Sequence, residues 1–315
     1  MKRLIKYFLI TAVILLATAL IIGLFYIRCL YQNLIVDHEK NFPAFVTKII
    51  DKFTRQPAPP VAVVKTEDTI QILEGWTDND IEQYFVRQNR WPNEEFFRVV
   101  GQPQVDYRYD KNKDWPPDFS ARFSFLVDKP KYYGLEGYLF PDTYRIYADS
   151  TAEEVVEKML DNFDKKLTPA MRADIKKQGK TIYQIITMAS IIEKEAPIDY
   201  QKTDNRDARI ISGIFWNRLK IGQALQSDAT LSYILNDNQP QHSGKDLVID
   251  SPYNTYKYRG LPPGPICNPG ILAIKAAIYP LATDYYYFLT PKGKDEVIYA
   301  HTNEEHNKNK NQYLR

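Results

Sequence analysis

The most extreme hydrophobic pattern lies near the start of the chain, where Tyr7 to Ile27, YFLITAVILLATALIIGLFYI, carries no charged side chain. At helical rise such a run crosses a hydrocarbon layer, which needs about 20 apolar residues. The apolar region of a cleaved leader is about 7–15 residues and ends in small residues. Here Tyr26-Ile27-Arg28 stands instead, so the pattern predicts an uncleaved, single-pass anchor over residues 1–30. Lys2, Arg3 and Lys6 precede it. The short basic end is expected in the cytoplasm, and the rest outside the bacterial cell (inner) membrane.

Beyond the anchor the periodicity changes repeatedly. Residues 31–60 read as a juxtamembrane helical segment ending in the stiff spacer Gln56-Pro57-Ala58-Pro59-Pro60. Val61-Ala62-Val63-Val64 and Thr69 to Leu73 have strand composition. Thr77 is placed to cap a helix through Ile81, Tyr84 and Phe85, and a short helix follows Pro92. Asp106 to Pro130 has no clear period and is expected as loop with short strands. From a boundary near Asp149 the pattern is helical: Ser150 before Val155, Val156, Met159, Leu160 and Phe163, then Thr168-Pro169, then Thr181. Tyr287-Phe288-Leu289 and Val297 to Ala300 predict a hairpin turning at Lys292-Gly293-Lys294.

The helix after Thr181 carries the candidate chemistry. In Ile182 to Ala196, IYQIITMASIIEKEA, the residues Ile182, Ile185, Ile186, Ala189 and Ile192 share a face. At about 100° per residue, Glu193 falls about 20° from Ile182 and Glu195 about 220° away. This phase puts Glu193 with the buried face and Glu195 on the solvated side. A carboxyl held among isoleucines has its charged form disfavoured, so its pKa rises and it can act as a general acid. The plainer reading is a helix-end glutamate paired with a nearby arginine.

Composition narrows the classes. With 41 basic and 39 acidic residues the chain has no basic excess for nucleic acid. Cys29 and Cys267 make neither a disulfide framework nor a cysteine-rich metal site. His38, His242, His301 and His306 lack the helical spacing of a zinc protease. Neither a metal nor another cofactor is expected.

Downstream, Leu225 to Thr230, Ser251 to Tyr256, Gly260 to Ile266 and Asn268-Pro269-Gly270 are rich in turn formers and hydrogen-bonding groups. Such loops suit a groove lining, or simply turn formation. Together with Leu73-Glu74-Gly75-Trp76-Thr77, Leu135 to Tyr144 (LEGYLFPDTY), Ala189 to Glu195 (ASIIEKE), Phe215-Trp216-Asn217-Arg218-Leu219 and Glu305-His306-Asn307, their order resembles the YceG-like, or MltG-type, endolytic murein transglycosylases.

That resemblance implies an α+β protein with a LysM-like module over 61–148 and a YceG-like catalytic domain over 149–315, a groove lying between them. It implies lytic cleavage of peptidoglycan glycan strands between N-acetylmuramic acid and N-acetylglucosamine, leaving a 1,6-anhydro end. Glu193 is the implied acid, and Gln226, Asp228, Asn254, Tyr256 and Asn268 are candidate substrate contacts. The implied partners are glycan strands, the cell membrane and cell-wall synthesis proteins. Two other readings stay open. One is a two-carboxylate hydrolase, with Asp228 a better second acid than Glu195; the other is a non-catalytic wall-binding scaffold.

Overall fold

The computed structural model describes residues 15–29, 66–110, 114–202, 205–237, 239, 242–291 and 296–314. The chain divides into two compact units, Met1–Val64 and Lys65–Arg315. In the first, residues 15–29 are helical, with Leu16, Leu20, Ile22, Phe25 and Ile27 exposed. Among the described residues no helix is long and apolar enough to cross a membrane. Tyr7 to Ile14 of the expected span, the 31–60 segment, the strand expected at Val61 to Val64 and the Lys292-Gly293-Lys294 turn lie outside the described residues.

In the second unit, β1 (Glu67–Gln71) pairs antiparallel with β2 (Thr143–Tyr147), Ile70 opposite Tyr144. Ile70, Tyr144 and Ile146 point inward while Thr69 and Arg145 face water, the two-residue alternation of a half-buried strand. β1 ends two residues before the expected Leu73, where the Ile72 N–H turns to the Asp142 carbonyl at 3.0 Å. Between the strands run α1 (Asp78–Arg87) and α2 (Glu95–Val100). Thr77 caps α1 as expected: its hydroxyl accepts from Asp80 N–H, and the Asp80 carboxylate accepts from Thr77 N–H at 2.9 Å. The expected short strands of 106–130 are absent from the described residues. Two single 3₁₀ turns, Phe119–Ala121 and Ser124–Leu126, stand there instead. Phe119, Phe123, Phe125 and Leu126 are all buried, a spacing that suits tight turns rather than alternation.

The remaining helices are α3 (Ala152–Lys166), α4 (Pro169–Lys177), α5 (Ile182–Glu195), α6 (Arg206–Lys220), α7 (Asp228–Leu235), α8 (Ile271–Ile278) and α9 (Asn303–Tyr313). The hairpin strands β3 (Tyr287–Leu289) and β4 (Ile298–Ala300) pair antiparallel before α9. Thr168 and Thr181 cap α4 and α5, but the cap of α3 is Thr151 rather than Ser150, because Thr151 forms a capping box with Glu154. The Ser150 hydroxyl instead accepts the Tyr147 N–H at 3.2 Å.

Helix α5 is the hub. Ile185 to Ile192 are all buried, with α4, α6, α7 and α8 packed around them. A helix greasy on every side belongs inside a fold. Each such isoleucine stabilises it by about 1.5–3 kcal/mol through burial. This enclosure decides where the two acids at its C-terminal end go.

Candidate active site

The last turn of α5 emerges from the core carrying Glu193, Lys194 and Glu195. Glu195 does not face bulk water, correcting the phase argument. It is partly buried in the wall of a cleft of about 490 Å³. One wall is α1 and its cap, with Thr77, Asp80 and Gln83; the other is α7, with Asp228, Ala229, Ser232 and Tyr233. The periodicity fixes only the angle between the acids. What each one meets depends on the neighbouring helices, and the side of α5 opposite Ile182 meets the start of α7.

Glu195 Oε1 accepts the Ser227 hydroxyl at 2.5 Å and the Ala229 N–H at 3.4 Å. Oε2 has no hydrogen-bond partner among the described residues. Burial pushes this carboxyl's pKa up, partly opposed by the Ser227 and Ala229 donors; Asp228 adds to the rise and Arg218 lowers it. One oxygen is therefore fixed by donors, and the group holds a proton more readily than an exposed glutamate.

Glu193 sits differently. Its Oε2 accepts the Tyr200 hydroxyl at 2.5 Å and the Gly270 N–H at 2.9 Å. Burial raises its pKa, the two donors oppose that, and Glu74 adds to the rise. It does not line the cleft. Its contacts tie the end of α5 to Gly270, the residue before α8, and no arginine pairs with it among the described residues.

The candidate binding residues separate into two groups. Asp228 lines the cleft at the start of α7 and accepts the Tyr256 hydroxyl at 2.7 Å, so these two are brought together beside Glu195. Gln226 is exposed two residues earlier, with φ 53° and its N–H bonded to the Thr255 carbonyl at 3.1 Å. Asn254 and Asn268 are corrections, since both are completely buried and committed within the protein. Asn254 Nδ2 donates to the Leu247 and Ile249 carbonyls, and its Oδ1 accepts from Tyr256 and Lys257 N–H. It closes its own loop and has no donor or acceptor left to offer a ligand.

Asn268 ties together three distant segments. Its Oδ1 accepts from Gly137 and Leu139 N–H at 3.0 and 2.9 Å, while Nδ2 donates to the Trp76 carbonyl at 3.1 Å and Asp78 Oδ1 at 3.0 Å. Its backbone bridges Gly75 and Trp76. Glu136 completes the knot, accepting the Asp78 N–H at 3.1 Å and the Tyr233 hydroxyl at 3.3 Å. Burial pushes the pKa of Asp78 up to about 7, against the lowering bond from Asn268, and burial together with Asp78 raises Glu136 further. The segments around Trp76, Gly137 and Asn268 thus meet in one sealed polar knot beneath the cleft. Gly137, at φ 89°, allows this approach, because a Cβ there would lie 2.5 Å from Pro265.

Among the described residues no group of three or more His, Cys, Asp and Glu side chains is arranged to hold a metal ion. The arrangement offers a carboxyl of raised pKa in the wall of a cleft of about 490 Å³ that is lined largely by polar side chains.

Comparison with known proteins sets this geometry in context. The YceG-like family model matches residues 42–312. The endolytic murein transglycosylase of Bacillus subtilis (strain 168) is 41% identical over 181 residues, covering 57% of this chain and 48% of that protein. That of Streptococcus pneumoniae serotype 2 is 36% identical over 277 residues, covering 81% of this chain and 45% of that protein. The chain therefore spans about half the length of the curated relatives it matches. A crystal structure of a YceG-like protein from Listeria monocytogenes superposes with a TM-score of 0.63 at 32% identity, covering 84% of this chain and 80% of that one. With its mixed α+β fold, the chain belongs to the YceG-like family.

Proposed function

We propose that this chain is an endolytic lytic transglycosylase that cuts peptidoglycan glycan strands, with Glu195 as its proton donor. The observation that carries the reading is the pairing of a raised-pKa carboxyl with an open cleft, Oε1 held by Ser227 and Ala229 and Oε2 left free. The relatives named endolytic murein transglycosylase support the substrate class.

In the proposed reaction Glu195 gives its proton to the glycosidic oxygen between N-acetylmuramic acid and N-acetylglucosamine. The bond from muramic C1 to that oxygen breaks, and its electron pair leaves with the oxygen, which becomes the N-acetylglucosamine hydroxyl. The muramic C6 hydroxyl then bonds to C1, closing the 1,6-anhydro ring, and its proton returns to Glu195. One carboxyl acts as acid and then base, and no water enters. Asp228, held by Tyr256, suits sugar hydroxyls on the same wall, and exposed Gln226 lies at the edge.

Hydrolysis is the competing chemistry, because Asp228 stands near enough to raise the pKa of Glu195 and so to make a carboxyl pair. Mass analysis of products from purified glycan strands separates the two. Anhydro-muramic ends are expected; reducing muramic ends alone would overturn the transglycosylase reading. Glu193 as the acid, implied by sequence, is tested beside Glu195 by paired glutamine variants. A non-catalytic scaffold would leave strands intact with the parent protein.

The β1-α1-α2-β2 order with antiparallel strands supports reading residues 61–148 as a LysM-like, glycan-holding module. The uncharged Tyr7 to Ile27 run supports a single membrane anchor with the catalytic part outside, close to cell-wall synthesis proteins.

A further inference from the structure

Arg218 is the unexplained charge of the site. It lies on the last turn of α6, is 6% exposed, and has no ion-pair partner among the described residues. A buried cation without a carboxylate against it is costly unless its hydrogens are placed and an opposite charge is within reach of its field. Two of its five N–H donors are placed. Nε donates to the Tyr286 carbonyl at 2.7 Å and Nη1 to the Leu225 carbonyl, while the guanidinium lies 5.1 Å from the Tyr287 ring centre. The Leu225 bond fixes the start of the segment that ends at Ser227, the donor to Glu195. Two further bonds fix the rest of that segment, Gln226 N–H to the Thr255 carbonyl and Ser227 N–H to the Thr255 hydroxyl at 3.0 Å.

The planar fork suits this task. Arg218 reaches across from α6 to β3 and to the 225–227 segment at once, two directions that a lysine ammonium on a flexible stem holds poorly together. Among the charged groups facing Glu195, Asp228 on α7 is an acid like Asp80 across the cleft, and Lys194 is an exposed neighbour on the same turn. Arg218 is the buried cation whose field acts on Glu195, and Glu195 acts back on it.

We infer that Arg218 is a positioning residue of the proposed reaction, holding Ser227 against Glu195 through the Leu225 carbonyl and supplying the positive field that receives the charge left on Glu195 when its proton departs. That charge exists only after proton transfer has begun, so the interaction is stronger at the transition state than in the resting site, which is the condition for raising kcat. The inference rests on Glu195 being the proton donor.

The test is the pH dependence of glycan-strand cutting by the full chain in the parent, Arg218→Lys and Arg218→Gln, with thermal melting followed for each. The acid form of Glu195 is active, so the parent rate falls on the alkaline side. Loss of the cation in Arg218→Gln is expected to move that limb up by about half to one pH unit while lowering plateau kcat about 10-fold or more, with KM within about twofold. Arg218→Lys is expected to keep the limb in place, because the charge stays, and to lower kcat, because the two-direction hold is lost. A merely structural arginine would lower melting and active fraction without moving the limb. An unmoved limb in folded Arg218→Gln, or parent-like kcat in Arg218→Lys, overturns the inference; the lysine result decides if the glutamine variant does not fold. Failure of the underlying reading has a different signature: either the parent leaves strands uncut, or Glu195→Gln cuts them as fast as the parent.

Discussion

Two carboxyl sites in this chain share a raised proton affinity and differ in access. Asp78 and Glu136 lie in the sealed knot around Asn268, where donors surround them and no ligand enters. Glu195 has one oxygen held and the other open to a large cleft. Burial raises the pKa in both places. A perturbed carboxyl is therefore a functional candidate only when its geometry leaves an atom to react.

The sharpest break of this contrast compares the two glutamates of α5. Glu195→Gln is expected to slow strand cutting by about 10²–10⁴, the range of a lost general acid, while melting stays near the parent. Glu193→Gln keeps an oxygen to accept from Tyr200 and Gly270, so its rate is expected within about 10-fold of the parent. Equal losses in both, measured by release of anhydro-muramic ends, would erase the distinction.

Next in size is the knot itself. Asn268→Ala strands the Gly137 and Leu139 N–H donors, takes one of two donors from the Trp76 carbonyl and removes a partner of Asp78, with an expected loss of about 3–5 kcal/mol in denaturant unfolding. A smaller effect is stability against pH. The native knot keeps protons that the unfolded chain releases, so its contribution is complete below the ordinary aspartate value of 3.8 and is lost as pH rises through about 7. Melting should fall between about pH 4 and 7, and less steeply in Asp78→Asn. An equally steep fall in that variant would remove Asp78 as the cause. The smallest effect belongs to Gln226→Ala. Its exposed side chain leaves melting unchanged within about 0.5 kcal/mol, while KM rises a few-fold if the side chain touches the strand; an unchanged KM removes Gln226 from the substrate wall.

Local order was legible where local chemistry writes it. Thr77, Thr168 and Thr181 cap their helices as read from composition, and the closing hairpin stands where alternation put it. The misread positions are those whose surroundings come from far along the chain. Helical phase correctly put Glu193 and Glu195 on different sides of α5, but phase contains nothing about α7, which turns the apparently solvated side into a cleft wall. Asn254 and Asn268 sit among prolines and glycines, a context shared by ligand-binding loops and by internal clasps. The one available clue was the three separate motifs at Trp76, Gly137 and Asn268, whose joint presence is explained by their meeting in one place.

The clasp at Asn268 also governs how the polypeptide can be divided. A fragment beginning at residue 149 would keep α5, both glutamates and α7, yet it would lack Trp76, Asp78, Glu136, Gly137 and Leu139, the groups that answer the Asn268 amide and the buried Tyr233 hydroxyl. It would also lose the Thr77 to Gln83 bank opposite the acid. The stretch containing the chemical group is thus not self-sufficient: the earlier segment acts as an internal template within the Lys65–Arg315 unit, and an insertion or excision near Asp149 must preserve the return path that lets one asparagine reach both Trp76 and Gly137.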